Sequence, residues 1–388
     1  MTISFPIYLD NNATTAVDPV VLQAMLPTFS EHYGNPSSTA HSYGWYAQEL
    51  VTIAREKVAH AIGAAPHEII FTSGATESNN TVIQGLAQRT SGGNSSSGAF
   101  VSAVTEHHSV LEAFAFARNK DIPVVLLAVN SQGGIFEEEL ERQLEKQPAL
   151  ISLMIANNEI GTLHDIKRLA QRAHDVGALF HSDGTQALGK MSIDVNDLGV
   201  DFMSLSAHKV YGPKGIGALY VRDSVSPRVL QPLLRGAGQE AAFRSGTLNV
   251  PGIVGFGAAC ERAVELLKTE SVRVRHLTEK LYQGILTAVP DVILNGPELT
   301  KRLAGNLNFS FPNLDIHAVI GGCGGKLAVS LAAACSSTTG QASHVIEAIY
   351  PDRANSPSAV RIGIGRFNTD EDVEAVVNIL SDAVRKLR

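Results

Sequence analysis

Short apolar runs alternate with amphipathic stretches up to residue 221, and this alternation limits the possible folds more than anything else in the chain. Residues 68–71, 99–104, 123–129, 149–155, 178–181, 200–205 and 217–221 are short, continuously apolar runs, which predicts strands. Between them, 75–89, 106–119, 137–146 and 165–176 carry apolar residues at helical spacing. Strands apolar on both faces and separated by helices predict a mostly parallel sheet covered on both sides, an α/β fold. Upstream, Asp18-Pro19 opens a helix reaching about residue 32, and 47–62 predicts a second that stops at Gly63. After residue 221 the pattern changes to helices at 251–267 and 271–288 and strand-like runs at 303–311, 328–331 and 360–364. A last helix, 370–387, is capped by Thr369. This predicts a smaller α+β domain, as expected for a chain of 388 residues, longer than one core usually grows.

Composition narrows the function. A formal charge of −7 without basic clusters argues against direct nucleic-acid binding. The start of the chain lacks the charged and apolar regions of a signal peptide, and no apolar run reaches the ~18 residues of a membrane span. The three cysteines, Cys260, Cys323 and Cys335, show no zinc-ligand spacing and fit a reducing compartment, so a cytoplasmic protein is expected. The loop 91–98, rich in Gly and Ser, carries no functional reading.

The chemistry gathers at strand ends, where parallel sheets place their ligands. Lys209 follows the run 200–205 in Ser206-Ala207-His208-Lys209, before the turn Tyr211-Gly212-Pro213-Lys214-Gly215. A partly desolvated lysine attacks carbonyls to form a Schiff base, although taken alone this one also reads as a surface lysine in a hairpin. The preceding strand ends on Asp183 in His181-Ser182-Asp183-Gly184-Thr185-Gln186. A strand-end lysine and a strand-end aspartate are what pyridoxal phosphate (PLP) requires, one for its aldehyde and one for its pyridine nitrogen. Phe71-Thr72-Ser73-Gly74-Ala75-Thr76-Glu77-Ser78-Asn79, a strand end running into a helix start, is a candidate phosphate site, although Thr72 to Thr76 alone also reads as an ordinary helix cap.

With these motifs stand Tyr8 to Thr15, Gly34 to Ser38, Thr105 to His108, Asn157 to Gly161, Arg244 to Thr247 and Arg361 to Phe367. Together they resemble the cysteine desulfurases of the class V aminotransferase-like family, the branch of iron–sulfur cluster assembly and nitrogen fixation. The resemblance implies the PLP-dependent transferase (aspartate aminotransferase-like) fold. It implies a large PLP-binding domain at 14–260, and a small domain of 1–13 plus 261–388 that carries the catalytic cysteine loop. It further implies that Lys209 holds the cofactor and Asp183 pairs with its pyridinium. Ala75, Thr76, Ser206 and His208 hold the phosphate, Asn158 and Gln186 contact the phenolic oxygen, and His107 stacks on the ring and handles protons. Thr247 reaches the phosphate of a second subunit, which implies a homodimer. Arg361, with Asn158, grips the substrate carboxylate, a task suited to a guanidinium fork.

Cys335 is the implied sulfur acceptor. It is followed by eight small or polar residues, Ser336 to Ser343, which lack the apolar content to pack down. Fully extended, such a segment spans at most ~26–29 Å, reach enough to deliver a persulfide to an acceptor protein. Cys260 reads as structural and Cys323, in Gly321-Gly322-Cys323-Gly324-Gly325, as a surface thiol without a catalytic part. Alanines at 332–334 replace the usual Ser-Gly-Ser-Ala before the cysteine, and the glycines at 321–325 replace a more helical stretch. The expected reaction converts L-cysteine to L-alanine. The alternatives are a C–S or selenocysteine lyase on the same fold, or an idle scaffold that docks sulfur-transfer partners.

Overall fold

A computed structural model of the chain describes residues 5–90, 98–225, 229–331, 343–351 and 359–388. Seven strands form its main sheet, in the order Ile69–Thr72, Gly217–Val221, Phe202–Ser206, Leu179–Asp183, Leu150–Ser152, Phe100–Ala103 and Val124–Leu127. Only Gly217–Val221 runs antiparallel to its neighbours, so the sheet is mostly parallel, as the uninterrupted apolar runs require. Helices cover both faces. Val82, Ile83, Val110 and Phe114 pack on one side against Phe100, Phe202 and Leu219. Val51, Val58 and Phe256 pack on the other against Phe71, Met203 and Tyr220.

A second sheet joins Ser330–Leu331, Ala359–Gly363, Asn306–Ser310 and Ile293–Leu294 in antiparallel fashion. Its apolar side meets Leu277, Leu281, Val376 and Leu380, and the N-terminal Ile7 and Leu9 belong to the same cluster. The strand Ile7–Tyr8 pairs with Leu327–Ala328, tying the start of the chain to this part. The helix His344–Ile349 lies in the stretch assigned to the small domain, yet Val345, Ile346 and Ile349 are buried in the larger cluster.

Three expectations change. The helices expected at 251–267 and 271–288 are one helix, Val250–Ala288, of 39 residues. No glycine or proline lies between residues 258 and 283 to stop it. Its first half is buried in the large cluster and its second half in the small one, so packing favours continuity. Conversely, the first helix breaks into Pro19–Met25 and Pro27–Ser30, because Pro27 has no N–H to continue the ladder. Finally, Cys323 is not a surface thiol. It caps the helix Ile316–Gly322, is 3% exposed, and its Sγ donates to the Val319 carbonyl at 3.3 Å. Cys260 is buried in the long helix, as expected of a structural cysteine.

Candidate active site

Three strand ends open onto one cavity. The strand Leu179–Asp183 ends on Asp183, which pairs with Ser204 of the adjacent strand, and Lys209 lies five residues beyond Ser204 on the short helix Ala207–Lys209. The strand Ile69–Thr72 leads through Ser73 and Gly74 into the helix Ala75–Thr90. These ends meet in a cavity of about 650 Å³. Of the residues singled out from sequence, Ala75, Thr76, His107, Asn158, Asp183, Gln186, Ser206, His208, Lys209 and Arg361 line it. Thr247 is exposed and outside the lining. Cys335 lies outside the described residues.

The lysine is held by the N-terminal segment. Lys209 Nζ donates to the carbonyls of Asn12 and Ala13, both at 2.6 Å, which aims a cation into a wall of backbone oxygens. His208 Nδ1 sits 3.1 Å from Thr14 Oγ1, and burial with the charges of Lys209 and Lys214 pushes its pKa down to about 4. His208 is therefore neutral at physiological pH.

Asp183 accepts from the Thr185 N–H and from Asn79 Nδ2, each at 2.9 Å. Asn79 also donates to Ser109 Oγ at 2.9 Å, and Ser109 Oγ is 2.8 Å from His107 Nδ1. The same Nδ1 accepts from the Ser109 N–H at 3.1 Å, so His107 both caps the helix His108–Arg118 and faces the cavity. With Nδ1 engaged as an acceptor, Nε2 is the nitrogen left for proton exchange. Burial lowers the His107 pKa, opposed by the nearby Asp183 carboxylate.

The turn into the helix Ala75–Thr90 is fixed from within. Ser73 N–H donates to Glu77 at 2.8 Å, and Glu77 accepts from Arg244 Nε at 3.0 Å. The opening N–H groups at Ala75 and Thr76 then face the cavity with the positive end of the helix dipole behind them. Ser206 closes this corner. Gly217 permits it, since a Cβ there would stand 2.4 Å from the Leu205 carbonyl oxygen and 2.6 Å from Gly74 Cα.

On the opposite wall Arg361 Nη2 pairs with Asp10 Oδ1 at 3.0 Å and donates to Ser330 Oγ at 2.8 Å, while Nη1 reaches the Asn158 carbonyl at 3.4 Å. Ser330 lies in the two-residue strand Ser330–Leu331 that leads into the undescribed stretch 332–342, and Ser343 immediately follows it. Ser343 Oγ donates to Glu159 at 2.6 Å. Both ends of that stretch are thus tied to residues at or next to the cavity wall.

Sequence reasoning gave no role to Asn79, Ser109, Asp10, Ser330 or Lys190. Asn79 and Asp10 stand inside recognised motifs, and that was the available signal. Ser330 and Ser109 carry none, because their part depends on contacts with distant segments.

The model of the family described as Aminotransferase class-V matches residues 7–376. A relative named cysteine desulfurase IscS, from Rickettsia rickettsii (strain Iowa), is 42% identical over 387 residues, covering 100% of this chain and 93% of its own. The chain belongs to the class-V aminotransferase family, among its cysteine desulfurases. Two solved structures share the fold. One described as a NifS-like protein has a TM-score of 0.90 at 36% identity, covering 98% of this chain and 100% of its own. Another, described as SspA in complex with cysteine, has a TM-score of 0.80 at 33% identity, covering 93% of this chain and 99% of its own.

The cofactor of this family is PLP, and the cavity suits it. It holds an amine, a carboxylate and a helix N-terminus in one wall system. Asn12 Nδ2 and Thr185 Oγ1, buried in residues of the lining, have no hydrogen-bond partner among the described residues, and a polar ligand supplies partners for both.

Proposed function

We propose that the chain is a PLP-dependent cysteine desulfurase that converts L-cysteine to L-alanine, leaves the sulfur on Cys335 as a persulfide, and passes it to an acceptor protein. The observation that carries this is the convergence of Lys209, Asp183 and Arg361, from three distant segments, on one cavity. The relative and the two solved structures described above support it.

Lys209 would hold the cofactor and Asp183 would face its pyridine nitrogen. Ala75, Thr76, Ser206 and His208 would take its phosphate, and Asn158 and Gln186 its phenolic oxygen. Bound there, PLP serves as the sink for the electron pair of the substrate's Cα–H bond. Arg361 takes the substrate carboxylate. Asp10 and Ser330 hold its Nη2, and its buried Nε has no partner among the described residues. Lys209 Nζ removes the Cα proton, and His107 Nε2 exchanges protons with the substrate. The Cys335 thiolate attacks the substrate sulfur. The C–S bond breaks, an S–S bond forms, and the carbon skeleton gains a proton at Cβ, regains one at Cα and leaves as L-alanine.

The wider reading has four parts: a homodimer, a cytoplasmic location, a role in iron–sulfur cluster assembly with a scaffold or thiolation carrier as acceptor, and the division into 14–260 and 1–13 plus 261–388. Exposed aromatic residues support the dimer. Phe29, Tyr33, Tyr43 and Trp45, the last 60% exposed, lie within one short stretch, and exposed aromatic residues gathered together mark interaction surfaces. Thr247, exposed and away from its own cavity, fits a residue that serves a second subunit.

The test is Lys209→Ala. The variant is expected to lose turnover and the borohydride-reducible link between cofactor and chain. Wild-type alanine production by that variant contradicts the reading.

A further inference from the structure

Gln186 lines the cavity, is buried, and is held at both ends of its carboxamide. A carboxamide has a donor end and an acceptor end of nearly equal shape, so its partners decide which end points where. Gln186 Nε2 donates to the Asn12 carbonyl at 2.9 Å, and that oxygen only accepts. Lys190 Nζ donates to Gln186 Oε1 at 2.9 Å, and an ammonium only donates. The Asn12 carbonyl always has a single polarity, and Lys190 has one in its ammonium form. Flipping the amide loses both bonds and sets like against like, oxygen on oxygen and N–H on N–H.

Lys190 is an unusual residue for this place. It is half-buried, and among the described residues no carboxylate forms an ion pair with it. Burial, with the charges of Lys209 and Arg361 nearby, pushes its pKa down to about 7. Near neutral pH the side chain is thus divided between ammonium and amine, and either form can donate to the Gln186 oxygen. Gly189, in the left-handed region at φ +73°, turns the chain just before it, and a Cβ there would stand 2.4 Å from Val210 Cγ2. The Asn12 carbonyl that receives Gln186 also receives Lys209 Nζ, so the series Lys190, Gln186, Asn12, Lys209 links the two lysines.

We propose that Lys190 is a positioning residue that fixes the Gln186 carboxamide with its NH2 end toward the cofactor's phenolic oxygen. The proposal rests on the reading of Gln186 as the contact for that oxygen. Without Lys190 only the Asn12 carbonyl sets the amide's direction, and an amide that turns presents to the phenolate a carbonyl oxygen that repels it.

A double-mutant cycle on PLP binding tests this, with Lys190→Met, Gln186→Ala and the double variant. Two quantities are measured: the dissociation constant of PLP from the apo protein, and the pH midpoint of the bound cofactor's visible absorption change. Thermal unfolding of each apo protein checks the fold, and Lys190→Leu, which likewise cannot donate, replaces Lys190→Met if the latter does not fold. Lys190→Met is expected to weaken PLP binding roughly tenfold and to move the midpoint to higher pH. Lys190→Arg, which still donates, is expected to recover most of both. The double variant is expected to match Gln186→Ala alone, because Lys190 acts through that amide. If Lys190→Met leaves both quantities unchanged, or if the two effects multiply, the proposal is overturned. If Gln186→Ala itself changes neither, the underlying reading of Gln186 falls instead.

Discussion

His181 shows what the surroundings do to a single side chain here. It lies under the site in the middle of the sheet, with Nδ1 2.7 Å from Ser152 Oγ and Nε2 3.0 Å from Ser204 Oγ. Burial pushes its pKa down to about 4, although the Asp183 carboxylate pulls the other way. In the unfolded chain it returns to about 6.5. Between those values the unfolded state binds the extra proton, so the stabilisation is complete above pH 6.5 and is lost as the pH falls toward 4. The loss is expected to be on the order of 3 kcal/mol, read by urea unfolding of the apo protein across that window. A His181→Asn variant is expected to lose clearly less over the same range; an equal loss means that other groups govern the acid side. Sequence alone marked His181 only as part of the motif leading to Asp183. Its hydroxyl partners come from two neighbouring strands, and the strand pairing had to be known first.

At the scale of elements, the chain ends of the parallel strands were legible because period and composition agree there. Asp183 and Lys209 could be placed at strand ends, and the helix starts at Ala75 and near His107 came out within two residues. What sequence could not give was decided by packing across distance. The long helix Val250–Ala288 reads as two when Lys268-Thr269-Glu270 is taken for a break, yet Glu270 faces Arg366 instead of solvent. Cys323 looks exposed among glycines until the helix Ile316–Gly322 turns it into the small cluster. Gly217 gives an element-scale test. Gly217→Ala forces its Cβ into the Leu205 carbonyl and the Gly74 backbone, both rigid. It is expected to cost at least about 2–3 kcal/mol and to weaken PLP binding, whereas Gly321→Ala, with open space around it, is expected to be neutral within about 0.5 kcal/mol. Comparing midpoints of urea unfolding checks both, and equal stabilities count against the close packing of the phosphate corner.

Across the whole molecule, one buried cation joins the parts. Arg366 pairs with Asp18, the cap of the first helix, at 2.8 Å and with Glu270 of the long helix at 3.0 Å. Its guanidinium also lies over the Tyr211 ring, 4.1 Å from the centroid. Tyr211, two residues past Lys209, has a φ of +64°, so the lysine loop leans on this cluster to hold a costly conformation. Arg366→Ala strands two buried carboxylates and is expected to cost about 3–5 kcal/mol and to weaken PLP binding; near-wild-type values in both would show that the loop holds itself. The central claim concerns sulfur, and it is tested by one turnover of the PLP-loaded enzyme with L-cysteine, followed by mass spectrometry of its peptides and assay of the carbon product. The account predicts one added sulfur on the peptide containing Cys335 and one equivalent of alanine, with Cys335→Ser binding PLP yet forming neither. Sulfur on Cys323, or full alanine or pyruvate production by Cys335→Ser, would contradict it.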